Sequence, residues 1–329
     1  MSEPVLELSK LSVSFGRGER RTTVVNEVSL RVEPGEIVGI VGESGSGKTL
    51  TAMAAADLLP TGAQMDADRW MFEGHDLSRI VRSDRGPVLG GRLAVVFQDP
   101  MSSLNPARTV GAQMSDVLRV HHGQSRQAAR AIAVDRLREV RVTAPERRID
   151  EYPHEFSGGM RQRAMIAMGL MTPPALLIAD EPTTALDVTV QADVMSLIAE
   201  LNRDHGTAVI LVSHNIALVA EVATRVLVMY AGRIVEEIDA GSLATRSRHR
   251  YTRALIGSVP RLDAPKDRPL ITIVGAPPDP STVTNGCPFA PRCTNTSEDC
   301  RSSRPELVTS DAGLVACVHP ASDDLCCCR

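Results

Sequence analysis

The segment GESGSGKT, Gly42 to Thr49, constrains this chain more than any other. It follows an apolar run, Glu36 to Val41, that reads as a buried strand. It precedes a stretch rich in Ala, Met and Leu, Thr51 to Leu59, that reads as a helix. A glycine-rich turn between strand and helix N-terminus is a phosphate cradle, because backbone N–H groups at Gly42, Gly45 and Gly47 can face an anion without Cβ interference. Glu43, Ser44 and Ser46 complete the turn, Lys48 is placed to reach the β- and γ-phosphates, and the Thr49 hydroxyl to ligate Mg²⁺. The positive end of the helix points at the same phosphates. An ordinary glycine-rich turn is the alternative, and the strand and helix context weighs against it.

A cradle alone says only that a nucleotide binds. The run ALLIADEP, Ala175 to Pro182, is short, apolar and ends in two acids, as when a buried parallel strand delivers carboxylates to its C-terminal edge. Asp180 is expected in the Mg²⁺ shell, and Glu181 is expected to orient and polarise an attacking water. In FSGGMRQR, Phe156 to Arg163, Ser157 stands ahead of a helix whose apolar positions Met160, Ala164, Ala167, Met168 and Met171 keep helical spacing. Ser157 as N-cap with Gly158 and Gly159 makes a second anion site. One cradle does not need two such sites for one nucleotide, so the second is expected to serve the γ-phosphate of ATP held by another ATPase subunit. AVILVSHN, Ala208 to Asn215, is a further buried strand ending at His214, a γ-phosphate contact if it opens onto the same crevice. LAVVFQDP, Leu93 to Pro100, ends in Gln98, an uncharged amide able to reach Mg²⁺ or the water.

Taken in order, these segments resemble the ATP-binding subunit of an ABC transporter. GESGSGKT resembles the Walker A motif, Gln98 the Q-loop, FSGGMRQR the signature, LLIADE the Walker B with its catalytic Glu, TTALD (Thr183 to Asp187) the D-loop, and His214 the switch histidine. The resemblance implies an α/β, RecA-like P-loop NTPase core with an antiparallel β-subdomain and an inserted helical subdomain. It also implies adenine stacking on Phe15 and a nucleotide contact at Asp187. FQDPMSSLNP (Phe97 to Pro106), HEFSGGMRQRAMIAMGL (His154 to Leu170) and GCPFAPRC (Gly286 to Cys293) narrow it to the dipeptide and oligopeptide permease branch, over nearly the whole chain. Met160 stands where many ABC proteins have Gln, which this branch shares, and Arg250 in HRYTRAL stands where the branch usually has Pro. None of the catalytic motifs is degenerate, which implies a hydrolysis-competent site.

A net charge of −4 leaves no basic footprint, so nucleic acid is not an expected partner. No apolar run approaches a membrane span, and MSEPVLELSK lacks the apolar core of a signal peptide. The chain is expected on the cytoplasmic face of the membrane, attached through other proteins.

Along the chain, Val5 to about Leu30 alternates as an antiparallel β-subdomain does, and the stretch from about 100 to 170 reads as the helical subdomain, with Gln127 to Val140 its clearest helix. A helix from Val188 to Arg203 presents Val190, Val194, Leu197, Ile198 and Leu201 on one face, and RVLVMYAGRIVEEI reads as a hairpin turning at Ala231 and Gly232. The ATPase domain is expected over 1–257 and a separate extension over 258–329, entered through a stretch carrying Pro260, Pro265, Pro269, Pro277, Pro278 and Pro280. All seven cysteines lie beyond residue 257. The extension is too poor in apolar residues for its own core, so a staple is expected. In a reducing compartment that staple is a metal rather than disulfides. Cys287, Cys293, Cys300 and Cys317 suit tetrahedral Zn²⁺ or an iron–sulfur cluster, and their spacing does not choose. The resemblance favours a [4Fe–4S] cluster, with His319 as a spare ligand; Cys326 to Cys328 form an exposed tail without assigned role.

The expected assembly pairs this chain with a related ATPase subunit, two transmembrane permease subunits and an extracytoplasmic peptide-binding protein. ATP sandwiched between the ATPases drives uptake of di- and oligopeptides; nickel complexes, glutathione and haem are the alternative cargoes. The rival class is a soluble ABC-type ATPase of repair or translation. Repair members carry long coiled-coil or zinc insertions and translation members usually two ATPase units, and neither feature is present in this sequence.

Overall fold

Short runs of Val, Ile, Leu and Ala become the buried strands of the computed structural model, which describes residues 3–18, 21–184, 186–259, 272–279 and 285–322. The chain divides into two units, one built mainly on Met71–Leu211 with Val32–Glu36, the other on Glu7–Arg31, Ile37–Trp70 and the chain from Val212 onward.

In the first unit Leu93–Val96 and Leu176–Asp180 pair in parallel, from Leu93 opposite Leu176 to Val96 opposite Ala179. The strand that starts at Ala208 lies on the other side of Leu176–Asp180. All five residues of Leu176–Asp180 are buried, as a strand covered on both faces requires. The helical segment contains Val110–His122, Arg126–Glu139 and Gly158–Gly169. Thr109 and Ser125 cap the first two by accepting from the N–H groups of Ala112 and Ala128, and Gly123, at φ 61°, ends the first. Met114, Leu118, Ala129, Ala133 and Leu137 are buried, and Arg130 grips Asp150 through two bonds of 2.7 and 2.9 Å. The helix expected from Gln127 is found one residue early.

The helix Val188–His205 buries Val194, Met195, Leu197, Ile198 and Leu201. Val190, expected on that face, is instead half-buried, and its Cγ1 would lie 2.9 Å from a Cβ at Gly159. It closes over the second glycine of the FSGG segment rather than entering the core.

In the second unit Leu6–Phe15 and Thr22–Val32 are neighbours, and Ala63–Asp66 runs antiparallel to the former. Ile37–Val41 pairs in parallel with Arg225–Tyr230, which folds back on Arg233–Asp239. The turn falls at Ala231 (φ 46°) and Gly232 (φ 79°), as expected for a two-residue hairpin loop. The helix expected over Thr51 to Leu59 instead spans Lys48–Ala55. It starts at the end of the glycine turn and stops where Asp57 takes φ 59°, with Pro60 beyond.

Beside the ligand staple expected from its cysteines, the C-terminal extension is held by strand pairing and ring packing. Gly313–Val315 pairs antiparallel with Glu236–Ile238, and Val308–Ser310 pairs with it in turn. Phe289 stands edge-on to Tyr230 at 5.4 Å between centroids and tilted against Tyr251 at 5.4 Å, while the two tyrosines are 4.5 Å apart. Of the linker prolines, Pro277 and Pro278 are described; Pro260, Pro265, Pro269 and Pro280, like Cys326 to Cys328, lie outside the described residues.

Glu236, 2% exposed, accepts from the N–H groups of Arg248 and of His249, the latter at 3.2 Å. Burial pushes its carboxyl above the ordinary range, partly offset by Thr252 and those two N–H groups. A carboxyl whose folded pKa is raised contributes most below its unfolded value, and that contribution is lost as pH rises through the folded value. Glu236→Gln keeps an acceptor and removes the buried charge. It is expected to gain about 1 kcal/mol, or roughly 2–4 °C in Tm, at pH 8, and less at pH 5. An equal shift at both pH values in a thermal melt would contradict this assignment.

Candidate functional site

The glycine turn after Ile37–Val41 takes its shape from contacts that exclude side chains. A Cβ at Gly42 (φ 157°) would stand 2.1 Å from the Met229 carbonyl oxygen, and one at Gly47 (φ 101°) 2.9 Å from the Met229 methyl. The Gly232 N–H donates to the Ser46 carbonyl at 2.9 Å, so the hairpin tip supports the turn from beneath. Lys48, 5% exposed, donates through Nζ to the carbonyls of Gly42 (2.8 Å) and Glu43 (2.9 Å), which holds its charge over the loop. Glu43 is anchored twice: its N–H donates to Tyr251 Oη at 2.7 Å, and its carboxylate receives both ends of the Arg292 guanidinium at 2.6 and 3.0 Å. The buried Ser46 hydroxyl has no hydrogen-bond partner.

In the same unit Phe15 closes its strand, half-buried and opposite Ala63. His214 is exposed just after Ser213, and Asn215 caps the next helix by accepting from the N–H groups of Ala217 and Leu218.

In the other unit Asp180 ends its strand 3% exposed. Glu181 follows at φ 45°, in the left-handed region that a non-glycine residue occupies only when its surroundings impose it. Its Oε2 accepts from Gln98 Nε2 at 3.2 Å and from Thr184 Oγ1 at 2.8 Å. The structure thus brings together Gln98 and Glu181, and adds Thr184, which the sequence reading passed over. Ser157 caps the helix Gly158–Gly169, accepting from the Met160 N–H at 3.3 Å. Asp187 caps Val188–His205, accepting from the Val190 N–H at 3.0 Å.

Cys287, Cys293, Cys300 and Cys317 are free thiols lining one pocket with His249, Phe289 and His319. Burial pushes the Cys317 thiol up to about 11 and the neighbouring thiols add to it, while the His319 backbone opposes. Burial likewise raises Cys287. Among the described residues no three His, Cys, Asp or Glu side chains converge closely enough to hold a single metal ion. His249 Nδ1 accepts from the Tyr251 N–H at 3.1 Å, so Nε2 carries the proton in the neutral ring. Burial holds the His249 ring at about 4. Tyr230, Tyr251 and Arg292 were missed by sequence reasoning, although HRYTRAL and GCPFAPRC contain two of them.

A family model described as ABC transporter matches residues 25–184, and one described as Oligopeptide/dipeptide transporter, C-terminal region, matches 235–300. The chain is 42% identical over 320 residues to the dipeptide transport ATP-binding protein DppD of Escherichia coli (strain K12), covering 97% of this chain and 98% of that protein. It is 42% identical over 310 residues to the oligopeptide transport ATP-binding protein OppD of Haemophilus influenzae, covering 94% and 95%. In structure it is similar to the ATP-binding cassette MJ0796, solved as a post-hydrolysis dimer bound to ADP and Pi, with a TM-score of 0.63 and 25% identity over 71% of this chain and 98% of that one. The expected P-loop α/β fold with antiparallel β- and helical subdomains is borne out.

Gly42→Ala tests the cradle. With a backbone oxygen 2.1 Å from the new Cβ, the turn must move, and the variant is expected to lose about 2–4 kcal/mol in a denaturant melt together with ATP binding. Unchanged stability and binding would show that the loop does not depend on this close approach.

Proposed function

We propose, from the premise that this chain belongs to the ATP-binding proteins of dipeptide and oligopeptide ABC transporters, that it is the ATPase subunit powering peptide uptake. The observation that carries its chemistry is the Glu181 carboxylate, presented at the end of a fully buried strand and held by Gln98 and Thr184. A carboxylate fixed by two neutral donors is held in one orientation, which is what positioning a water for attack on a γ-phosphorus requires. In this reading Gly42, Glu43, Ser44, Gly45, Ser46, Gly47 and Lys48 cradle the phosphates, Phe15 stacks on adenine, and Thr49, Gln98 and Asp180 are the Mg²⁺ ligands. His214 contacts the γ-phosphate. Ser157, Gly158, Gly159 and Asp187 serve the nucleotide of a second, homologous ATPase subunit.

No described helix is long and apolar enough to cross a membrane. We therefore assign attachment at the cytoplasmic face to two transmembrane permease subunits, with an extracytoplasmic binding protein delivering the peptide. Residues 1–257 form the ATPase domain in this reading and 258–329 the permease-specific extension.

The thiol pocket fits a soft, multi-thiolate group. Four thiols line one pocket, and a bound cation would reverse the burial penalty on the Cys287 and Cys317 thiolates. A single zinc ion would draw the four sulfurs to about 3.8 Å of one another at Zn–S distances near 2.3 Å. On the resemblance to the peptide-permease branch, Cys287, Cys293, Cys300 and Cys317 are assigned to a [4Fe–4S] cluster, with zinc as the alternative. When bound, such a group supplies a rigid four-point anchor for the extension.

In the assembled transporter Glu181→Gln is expected to keep ATP binding and lose more than about 99% of hydrolysis, whereas Lys48→Ala is expected to lose binding itself. Hydrolysis at the original rate in the Glu181 variant would overturn its role. Iron and labile sulfide in anaerobically purified protein are expected at about four each per chain; stoichiometric zinc without sulfide would replace the cluster by the ion.

A further inference from the structure

The extension reaches the phosphate loop through Arg292. Arg292 lies in the turn Ala290–Arg292, directly before Cys293 and five residues after Cys287. That turn is closed by backbone bonds from Ala290 to the Cys287 carbonyl (3.0 Å) and from Cys293 to the Ala290 carbonyl (3.3 Å). The Cys287 N–H in turn donates to the Cys300 carbonyl at 2.7 Å. The turn is therefore part of the wall of the thiol pocket.

From this wall the Arg292 side chain, 5% exposed, runs to Glu43. Nη1 donates to Glu43 Oε2 at 2.6 Å and to Tyr230 Oη at 3.2 Å; Nη2 donates to Glu43 Oε1 at 3.0 Å and to the Ile273 carbonyl at 3.3 Å; Nε donates to the Val274 carbonyl at 2.9 Å. The guanidinium lies 5.9 Å from the Tyr230 ring. Such a bidentate ion pair, with Arg292 enclosed and Glu43 24% exposed, is geometrically specific as well as charge-neutralising. Its partner is no ordinary surface acid, because Glu43 is the second residue of the phosphate turn and its carbonyl is one of the two that hold Lys48.

We infer that Arg292 is a positioning residue for the phosphate loop, and that through it the ATP affinity of the loop depends on the state of the four-cysteine pocket. The inference rests on the ATP-binding reading given above. Arg292 pairs with the Glu43 carboxylate and offsets its charge, which would otherwise repel the phosphates. Tyr251 Oη, accepting from the Glu43 N–H, fixes the backbone of the same residue. A group bound by Cys287 and Cys293 holds the intervening turn, and so holds Arg292. Because binding linkage is reciprocal, ATP in the cradle also favours retention of the pocket's group.

The test is the affinity of the full-length chain for a fluorescent ATP analogue with Mg²⁺. Arg292→Gln is expected to weaken binding about tenfold, and Arg292→Lys, which keeps the charge but not the fork, about two- to threefold. Adding Glu43→Gln to Arg292→Gln removes the carboxylate that needs neutralising and is expected to restore affinity to within about threefold of the original. Cys287→Ser with Cys293→Ser is expected to weaken binding about fivefold in the original chain and less than about twofold in the Glu43→Gln, Arg292→Gln background. Unaltered affinity in Arg292→Gln, no rescue by Glu43→Gln, or an equal cysteine effect in both backgrounds would overturn the inference while leaving the ATPase reading intact. Failure of the unaltered chain to bind the analogue would overturn both.

Discussion

The close approach of the phosphate turn to the 225–239 hairpin is the contact on which the second unit depends. Gly42 lies against the Met229 carbonyl, and Gly232 at the hairpin tip donates to Ser46 while its own Cα lies against the Val24 carbonyl. Three backbone segments meet closely there, so the amides of the turn are aimed by packing rather than by the turn's own preferences. The hairpin that supports the turn also carries Tyr230, against which Phe289 and Arg292 settle, and Glu236, which receives the amides of Arg248 and His249. The core of the cradle and the root of the extension are thus one packed body.

Local signals in this chain were legible where they rest on few residues. The five-residue apolar strands, the N-cap Ser157, and the turn at Ala231 and Gly232 each follow from side-chain chemistry within a few positions. Helix ends were less so. The first helix stops at Ala55 although Ala56 and Leu58 would prolong a helical pattern, because the chain turns at Asp57 to begin the next strand. Val190 has core chemistry and helical spacing, yet its place against Gly159 depends on a neighbour about thirty residues earlier, which periodicity does not encode.

Long-range partners were the least legible. Nothing about Arg292 in GCPFAPRC indicates that it reaches back to Glu43 across most of the chain, since an arginine beside a proline reads as an exposed loop residue. Thr184, too, is an ordinary turn residue until the left-handed backbone at Glu181 brings the carboxylate to its hydroxyl. From composition the extension reads as short of apolar residues. Its remedy was only half visible: the cysteines stand out, whereas the three-residue strand Gly313–Val315 is too short to announce itself and gains its place from the edge of Arg233–Asp239.

An ATPase of this kind acts only through the proteins it moves, and the claim that most needs testing is that this chain works in a peptide transporter. The direct measurement is isolation of the tagged chain from gently solubilised native membranes, with its co-purifying proteins identified by mass spectrometry. The account predicts two multi-span permeases and a second ATP-binding subunit in constant ratio to this chain. Recovery of the chain only from the soluble fraction, alone or with ribosomal or repair proteins, would contradict it.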